Sequence, residues 1–325
     1  MKRTHKILLG ALASIFILTA CGNRKGEPSD TTTSGLTTIV CDASFENIIN
    51  QEIEVFEYNY PMANIIPYYT NERACIDSLL EFKTRTIVVT HELNKQDQEY
   101  LKANNRNYRC QRIAVDAIAL ITNPANEIDV LSKAEVAQIL KGEVTDWGQI
   151  EPSKLGKIQV VFEDNGASTV QYMRDSLMEG KPFGENVFAQ GTSQKVFEAV
   201  QNNKNAIGII GVSWISADMS TREMTKEERI AALDQQTTTK TSFSEGVKVL
   251  KIRYDNDPLG HQPYQAYIND GSYPFYRSVY MISSGANGSL SHGFFSFVTS
   301  VIGQKIIQQT GIMPAAIQPR IVELI

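Results

Sequence analysis

Apolar and polar positions along this chain recur with two periods, and the switches between them predict a β-α-β-α-β succession. Leu36 to Val40 is a short apolar and β-branched run, read as a strand, and Ser44 stands as the cap of a helix carrying Ile48, Ile49, Ile53 and Phe56 at helical spacing. Ile65 to Tyr69 reads as a second strand, after which Thr70-Asn71 caps a stretch with Ala74, Leu79 and Leu80. Thr86 to Thr90 predicts a third strand, and Asn94 opens a charged surface helix over Lys95 to Asn104. Strands separated by helices of this length require crossovers, so the pattern predicts an open, largely parallel α/β sheet with a ligand site at the carboxyl ends of its strands.

A second α/β set follows a strand over Val115 to Thr122. Ser132-x-x-Glu135 has the form of a capping box for a helix ending at Gly142, and Ser168-x-x-Gln171 has the same form ahead of Val170 to Met178. Thr225-x-x-Glu228 is a third, set in a polar, threonine-rich stretch from Ser216 to Ser244 that reads as a surface insertion. The chain returns through a strand at Ser278 to Ser283 and closes with a helix over Phe294 to Gln309, stopped by Gly311 and Pro314. No internal repeat is visible.

The apolar run at the start follows neither period. Lys2, Arg3 and Lys6 precede the apolar stretch Ile7 to Leu18, which is closed by Leu18-Thr19-Ala20-Cys21, the form of a bacterial lipoprotein signal. Twelve helical residues span about 18 Å, short of the roughly 30 Å of a bilayer core. The expected product is a chain cleaved after Ala20 and lipidated on Cys21, anchored to a membrane in the cell envelope and facing the periplasm. Gly22 to Gly35 is polar and predicts a flexible tether. The rest is long enough for two lobes.

The formal charge of the whole chain is −5, and it becomes −8 once the three basic residues of the signal leave. That balance argues against nucleic acid as a partner, whose binding rests on neutralising phosphates. Any small anion must then be held by local dipoles rather than steered by the overall field. Cys41, Cys75 and Cys110 remain after the lipidation cysteine is set aside, which allows either one disulfide with one thiol or three buried thiols. Zincin, nucleophile-elbow, CxxC, Walker and Rossmann patterns are missing. Asp255-Asn256-Asp257 begins like a calcium loop but lacks the later ligands, and Asn287-Gly288-Ser289 matches a glycosylation acceptor; both read as turns.

Several strings, in order, resemble the phosphate-binding proteins of ABC transporters, in the type II periplasmic binding protein fold. They are Cys41-Asp42-Ala43-Ser44-Phe45, Ala114-Val115-Asp116-Ala117-Ile118-Ala119 leading to Asn123-Pro124, and Ile139-Leu140-Lys141-Gly142 through Thr145-Asp146-Trp147. Asp164-Asn165-Gly166-Ala167-Ser168-Thr169, Asn205-Ala206-Ile207-Gly208, Tyr273-Pro274-Phe275 with Arg277, and Gly303-Gln304 before Gly311 follow. The resemblance implies two lobes, each a central sheet flanked by helices, joined by a two-segment hinge. It places one lobe at 36–120 with 277–325 and the other at 121–276, and sets the hinge near Ile118 to Pro124 and Ser278 to Ser283. It further implies a monomer without cofactor or metal, taking a small oxyanion, foremost inorganic phosphate, for an ABC permease.

By the same resemblance Ser44 and Phe45 make the first ligand contact and Thr70 the second, while Ser168 and Thr169, with Ala167 beside them, close from the second lobe. Two positions depart from the family: Glu163 stands where it carries an arginine and His91 where it carries an aspartate, an exchange that would preserve a Glu163–His91 pair. Arg73 and Arg85 are the cations available as substitutes. The runner-up function is an envelope scaffold or sensor on the same fold, and an extracytoplasmic enzyme comes third for want of a nucleophile with its base.

Overall fold

The computed structural model describes residues 30–216, 243–244 and 246–316. The expected signal, the lipidation site Cys21, most of the tether and the Thr225 capping box lie outside these residues. Among the described residues, no helix is long and apolar enough to cross a membrane.

In chain order the first half is built from β1 (Ser34–Asp42), α1 (Glu46–Asn59), β2 (Met62–Thr70), α2 (Glu72–Leu80), β3 (Thr86–Val89), α3 (Lys95–Ala103) and β4 (Arg109–Thr122). Then come β5 (Val130–Ser132), α4 (Lys133–Lys141), β6 (Gln159–Phe162), α5 (Ser168–Leu177), β7 (Val187–Ala189), α6 (Ser193–Asn202) and β8 (Ala206–Gly211). The remainder comprises β9 (Lys248–Val249), β10 (Lys251–Arg253), α7 (Gln265–Asn269), β11 (Tyr276–Ser283), α8 (Leu290–Val298), α9 (Val301–Gln309) and β12 (Met313–Pro314).

One sheet runs β2-β1-β3-β11-β4-β8-β6-β7, with β9 and β12 also paired to β4. β1 is parallel to β2 and β3, and β6 is parallel to β7 and β8, so each half has the predicted parallel core. β4 holds the halves together and changes partner along its length. Arg109 to Ala117 pairs with β11, and Ile118 to Thr122 pairs with β8. The chain crosses back beside that point, where Ile118 N donates to Phe275 O at 2.9 Å and the Tyr273 hydroxyl donates to Ile118 O at 2.7 Å. β4 is buried from Ile113 onward on both faces, which explains its apolar run, interrupted there only by Asp116 before Thr122.

Local expectations meet three corrections. The 44-to-56 helix is not capped by Ser44: the Asp42 side chain accepts from Ser44 N at 3.0 Å and caps a 3-10 turn over Ala43–Phe45, and α1 begins only at Glu46. Ser168 is likewise the first residue of α5 and not its cap, which is Ala167 without a side-chain bond. The C-terminal helix is two, α8 and α9, because Ser300 turns out of the first and caps the second by accepting from Gly303 N at 3.4 Å. The Ser132 capping box has both of its bonds, and Gly142 ends α4 in the left-handed region at φ 72°. Order begins earlier than the tether pattern suggested: Asp30 Oδ1 accepts from Leu290 N at 2.8 Å, and β1 starts at Ser34. Cys41, Cys75 and Cys110 are free thiols, the first two buried and Cys110 half-buried, so the structure has no disulfide among them and the expected third buried thiol is partly exposed.

Candidate functional site

The carboxyl ends of β1 and β2, and of β6 and β7, face one another across a cleft of about 500 Å³. β1 delivers Asp42 and, through the 3-10 turn, Ser44; β2 delivers Thr70; the loop after β6 brings Glu163 and leads to Ala167 at the start of α5; and Ser193 opens α6. All of these line the cleft, with Asn71, Asp164, Gln194 and Trp214. The two sides approach closely at Gly166, where a Cβ would lie 3.4 Å from Asn71 Nδ2, at van der Waals contact.

Beneath the cleft the polar groups form a connected network. The Ser168 hydroxyl donates to Asp42 Oδ1 at 2.7 Å and accepts from Arg277 Nη1 at 2.6 Å. Ser44 Oγ lies 3.2 Å from Ser168 Oγ. Arg277 in turn grips Asp116 Oδ2 with Nε at 3.2 Å and Nη2 at 3.1 Å, and its guanidinium lies 5.0 Å from the centre of the Phe45 ring. On the far side, Thr169 Oγ1 donates to Glu163 Oε2 at 3.0 Å and the Ser193 hydroxyl donates to Glu163 Oε1. Asp42 is 1 % exposed and Glu163 6 %.

Burial sets the acidity of this network. It raises the Asp42 carboxyl above its ordinary range, against the opposing pull of Arg277 and the Ser168 hydroxyl. Burial does the same to Asp116 despite its two bonds from Arg277, and to Glu163 despite Ser193, Arg277 and Thr169. Among the described residues, no lysine or arginine lines the cleft, and Asp42, Glu46, Glu163 and Asp164 all do.

The structure therefore brings together Ser44, Phe45, Thr70, Glu163, Ala167, Ser168 and Thr169 around one cleft and its floor. It does not bring His91. That side chain is largely exposed, with Nδ1 2.8 Å from Thr90 Oγ1 and 3.2 Å from Glu72 Oε1, so the expected Glu163–His91 pair is replaced by Glu72–His91 and Glu163–Thr169–Ser193. The hydrogen bond that the imidazole donates to Glu72 is the main reason His91 is held above its ordinary range. Arg73 pairs with Asp77 on the surface and Arg85 is exposed, so neither substitutes for a cleft cation. Arg277 is the cation of the network. Asp42, Asp116 and Arg277 stood inside the strings that carried the family resemblance without being singled out, and Asp116 is a lone charge in an apolar strand, which is the signal that could have found it; Ser193 had no signal beyond a polar residue opening a helical stretch.

A family profile described as a PBP superfamily domain matches residues 26–301. Among curated proteins, the phosphate-binding protein PstS of Borreliella burgdorferi is 22% identical over 208 residues, covering 62% of this chain and 63% of the relative. PstS of Pseudomonas aeruginosa is 24% identical over 217 residues, covering 62% and 58%. The matched region thus spans about three-fifths of the length of these relatives. Among solved structures, a phosphate ABC transporter substrate-binding protein of Clostridium perfringens with bound phosphate superposes with a TM-score of 0.68 at 18% identity, covering 87% of this chain and 100% of the other. An ABC-type phosphate transport receptor of Vibrio cholerae superposes at 0.61 with 16% identity, covering 86% and 100%. These likenesses agree with the two-lobed arrangement of the strands. On a profile match that extends over most of its length, the chain belongs to the PBP (periplasmic binding protein) superfamily.

Proposed function

We propose that this protein is the solute-binding component of an ABC transporter and captures inorganic phosphate between its two lobes. The observation that carries the reading is the convergence of Ser44 from one half, and of Ser168, Thr169 and Ser193 from the other, on one cleft at the carboxyl ends of both parallel strand sets. Ser168 and Thr169 in the first turn of α5 and Ser193 in the first turn of α6 bring unpaired backbone N–H groups as well as hydroxyls, which suits an oxyanion without a lining cation. The phosphate bound by the clostridial protein and the names of the PstS relatives support this choice of ligand.

In this reading the lobes comprise 36–120 with 277–325, and 121–276, and move about the partner change between Ala117 and Ile118 and the return at Phe275. The mature chain is lipidated on Cys21 and held on the outer face of a membrane beside its permease. Thermal unfolding of the purified protein against a panel of oxyanions tests the assignment. A rise in Tm with phosphate following RT ln(1 + [L]/Kd), about 4 kcal/mol at a thousandfold excess over Kd, is expected. No rise with any oxyanion favours the scaffold reading, for which the motivating observation is that no lysine or arginine among the described residues lines the cleft.

A further inference from the structure

A hydroxyl carries one proton, and three of the hydroxyls at this cleft and its floor have already committed theirs to the protein's own carboxylates. Thr169 and Ser193 both donate to Glu163. Ser168 donates to Asp42, which leaves Ser44 as the donor in the Ser44–Ser168 pair. To an arriving oxyanion these groups offer lone pairs rather than protons. Their two carboxylates sit where the oxygens of an anionic ligand would be held. Asp42 lines the cleft and keeps Oδ2 buried and without a hydrogen-bond partner, so the donors fall short of the acceptors even before a ligand is counted.

We propose that Glu163 acts as a built-in competitor for the oxyanion, holding the hydroxyls of Thr169 and Ser193 while ionised and releasing them to the ligand when it takes up a proton. This deepens the phosphate reading and rests on it. Glu163 then determines the pH range of capture: phosphate is bound while the acid is neutral and is expelled as it ionises. The groups facing Glu163 favour such a switch. Asp42 at the end of β1 opposes its ionisation; Arg277 of β11 favours it but is shared with Asp116 of β4; and Thr169 of α5 and Ser193 of α6 are neutral donors. Glu46 and Asp164 at the cleft lining add negative charge. Burial moves the Glu163 carboxyl above its ordinary value, the direction the switch requires.

Phosphate itself titrates, so the test compares wild type with Glu163→Gln, an isostere that cannot ionise, by calorimetric titration with inorganic phosphate between pH 5 and 9. The ligand's own protonation cancels in the ratio of the two Kd values. The ratio of wild type to variant is expected to be near one in acid, to grow about tenfold per pH unit once Glu163 ionises in the free protein, and to level only where it ionises in the complex as well. Ser193→Ala, which removes one donor from the carboxylate, should move the turning point to higher pH. A ratio that stays constant across the range while both proteins bind phosphate overturns the proposal and leaves the phosphate reading standing. If neither protein binds phosphate at any pH, the reading itself falls and the proposal with it. Should Glu163→Gln not fold, the Ser193→Ala curve against wild type decides: an unmoved turning point overturns the proposal.

Discussion

Asp116 and Glu52 are both carboxylates withdrawn entirely from solvent, one under the cleft and the other midway along α1. Asp116 receives two bonds from Arg277 on Oδ2, and Arg277 also reaches Ser168 and through it Asp42, so the charge there is answered by a guanidinium although Asp116 Oδ1 and Asp42 Oδ2 lack a partner. Glu52 has none: both carboxylate oxygens lack a partner, and its neighbours one turn away on the same face are the buried Ile48, Ile49, Val55 and Phe56. Burial alone accounts for the large upward shift of the Glu52 carboxyl, whereas at Asp116 the guanidinium pulls against it. The difference shows that depth of burial does not distinguish a working acid from a liability. Connection to opposite charge and to donors does.

Removing the shared cation should have the largest effect. Arg277→Met leaves Asp116 and Asp42 buried without their counter-charge, and a loss of about 3–5 kcal/mol in urea unfolding is expected. A loss below about 1 kcal/mol would mean the network is already neutral. Ser168→Ala removes only the hydroxyl between Arg277 and Asp42 and should cost about 2 kcal/mol, since both partners are charged groups.

Glu52→Leu should act in the opposite direction, stabilising by about 1–2 kcal/mol at neutral pH. Because the folded carboxyl is raised above its ordinary value of 4.5, the folded state holds the proton more tightly than the unfolded chain. The penalty for ionising it is absent in acid, grows as pH rises from about 4.5 through the folded value, and is level beyond. The Tm difference between variant and wild type should therefore widen with pH over that window; a difference that narrows would place an undetected cation beside Glu52. The smallest effect is expected away from both regions, at Ser132→Ala, where loss of one bond of the α4 capping box should cost about 1 kcal/mol without any pH dependence.

The parts of the molecule written in local pattern were legible from the sequence. β1, β2 and β3 with their intervening helices, the capping box at Ser132 and the stop at Gly142 each depend on residues within a few positions, and each occurs where the periodicity put it. The site was legible only as a set of hydroxyls. Ser44 and Ser168 look like helix caps in sequence, but Asp42 and Ala167 precede them in space, and this frees both hydroxyls for the network. The pairing of Arg277 with Asp116 joins chain positions far apart, as does that of Ser168 with Asp42, and local spacing holds no trace of such contacts. The misassigned His91 fails for the same reason: Glu72, one element earlier, reaches it first.

The strand order also bears on how the chain is made. β11 lies between β3 and β4, antiparallel to both, so the inner edge of the first half stays open from the synthesis of Val89 until Tyr276 to Ser283 emerges. The main strand path of the second half has no such wait, because β6, β7 and β8 and the end of β4 that they extend are in place by Gly211, and only β9 and β10 join β4 and β5 later. A chain born from its N-terminus assembles the main strand path of its later half first and leaves the Thr86–Val89 edge, every residue of which is buried in the finished protein, open to wrong pairing while the rest is made.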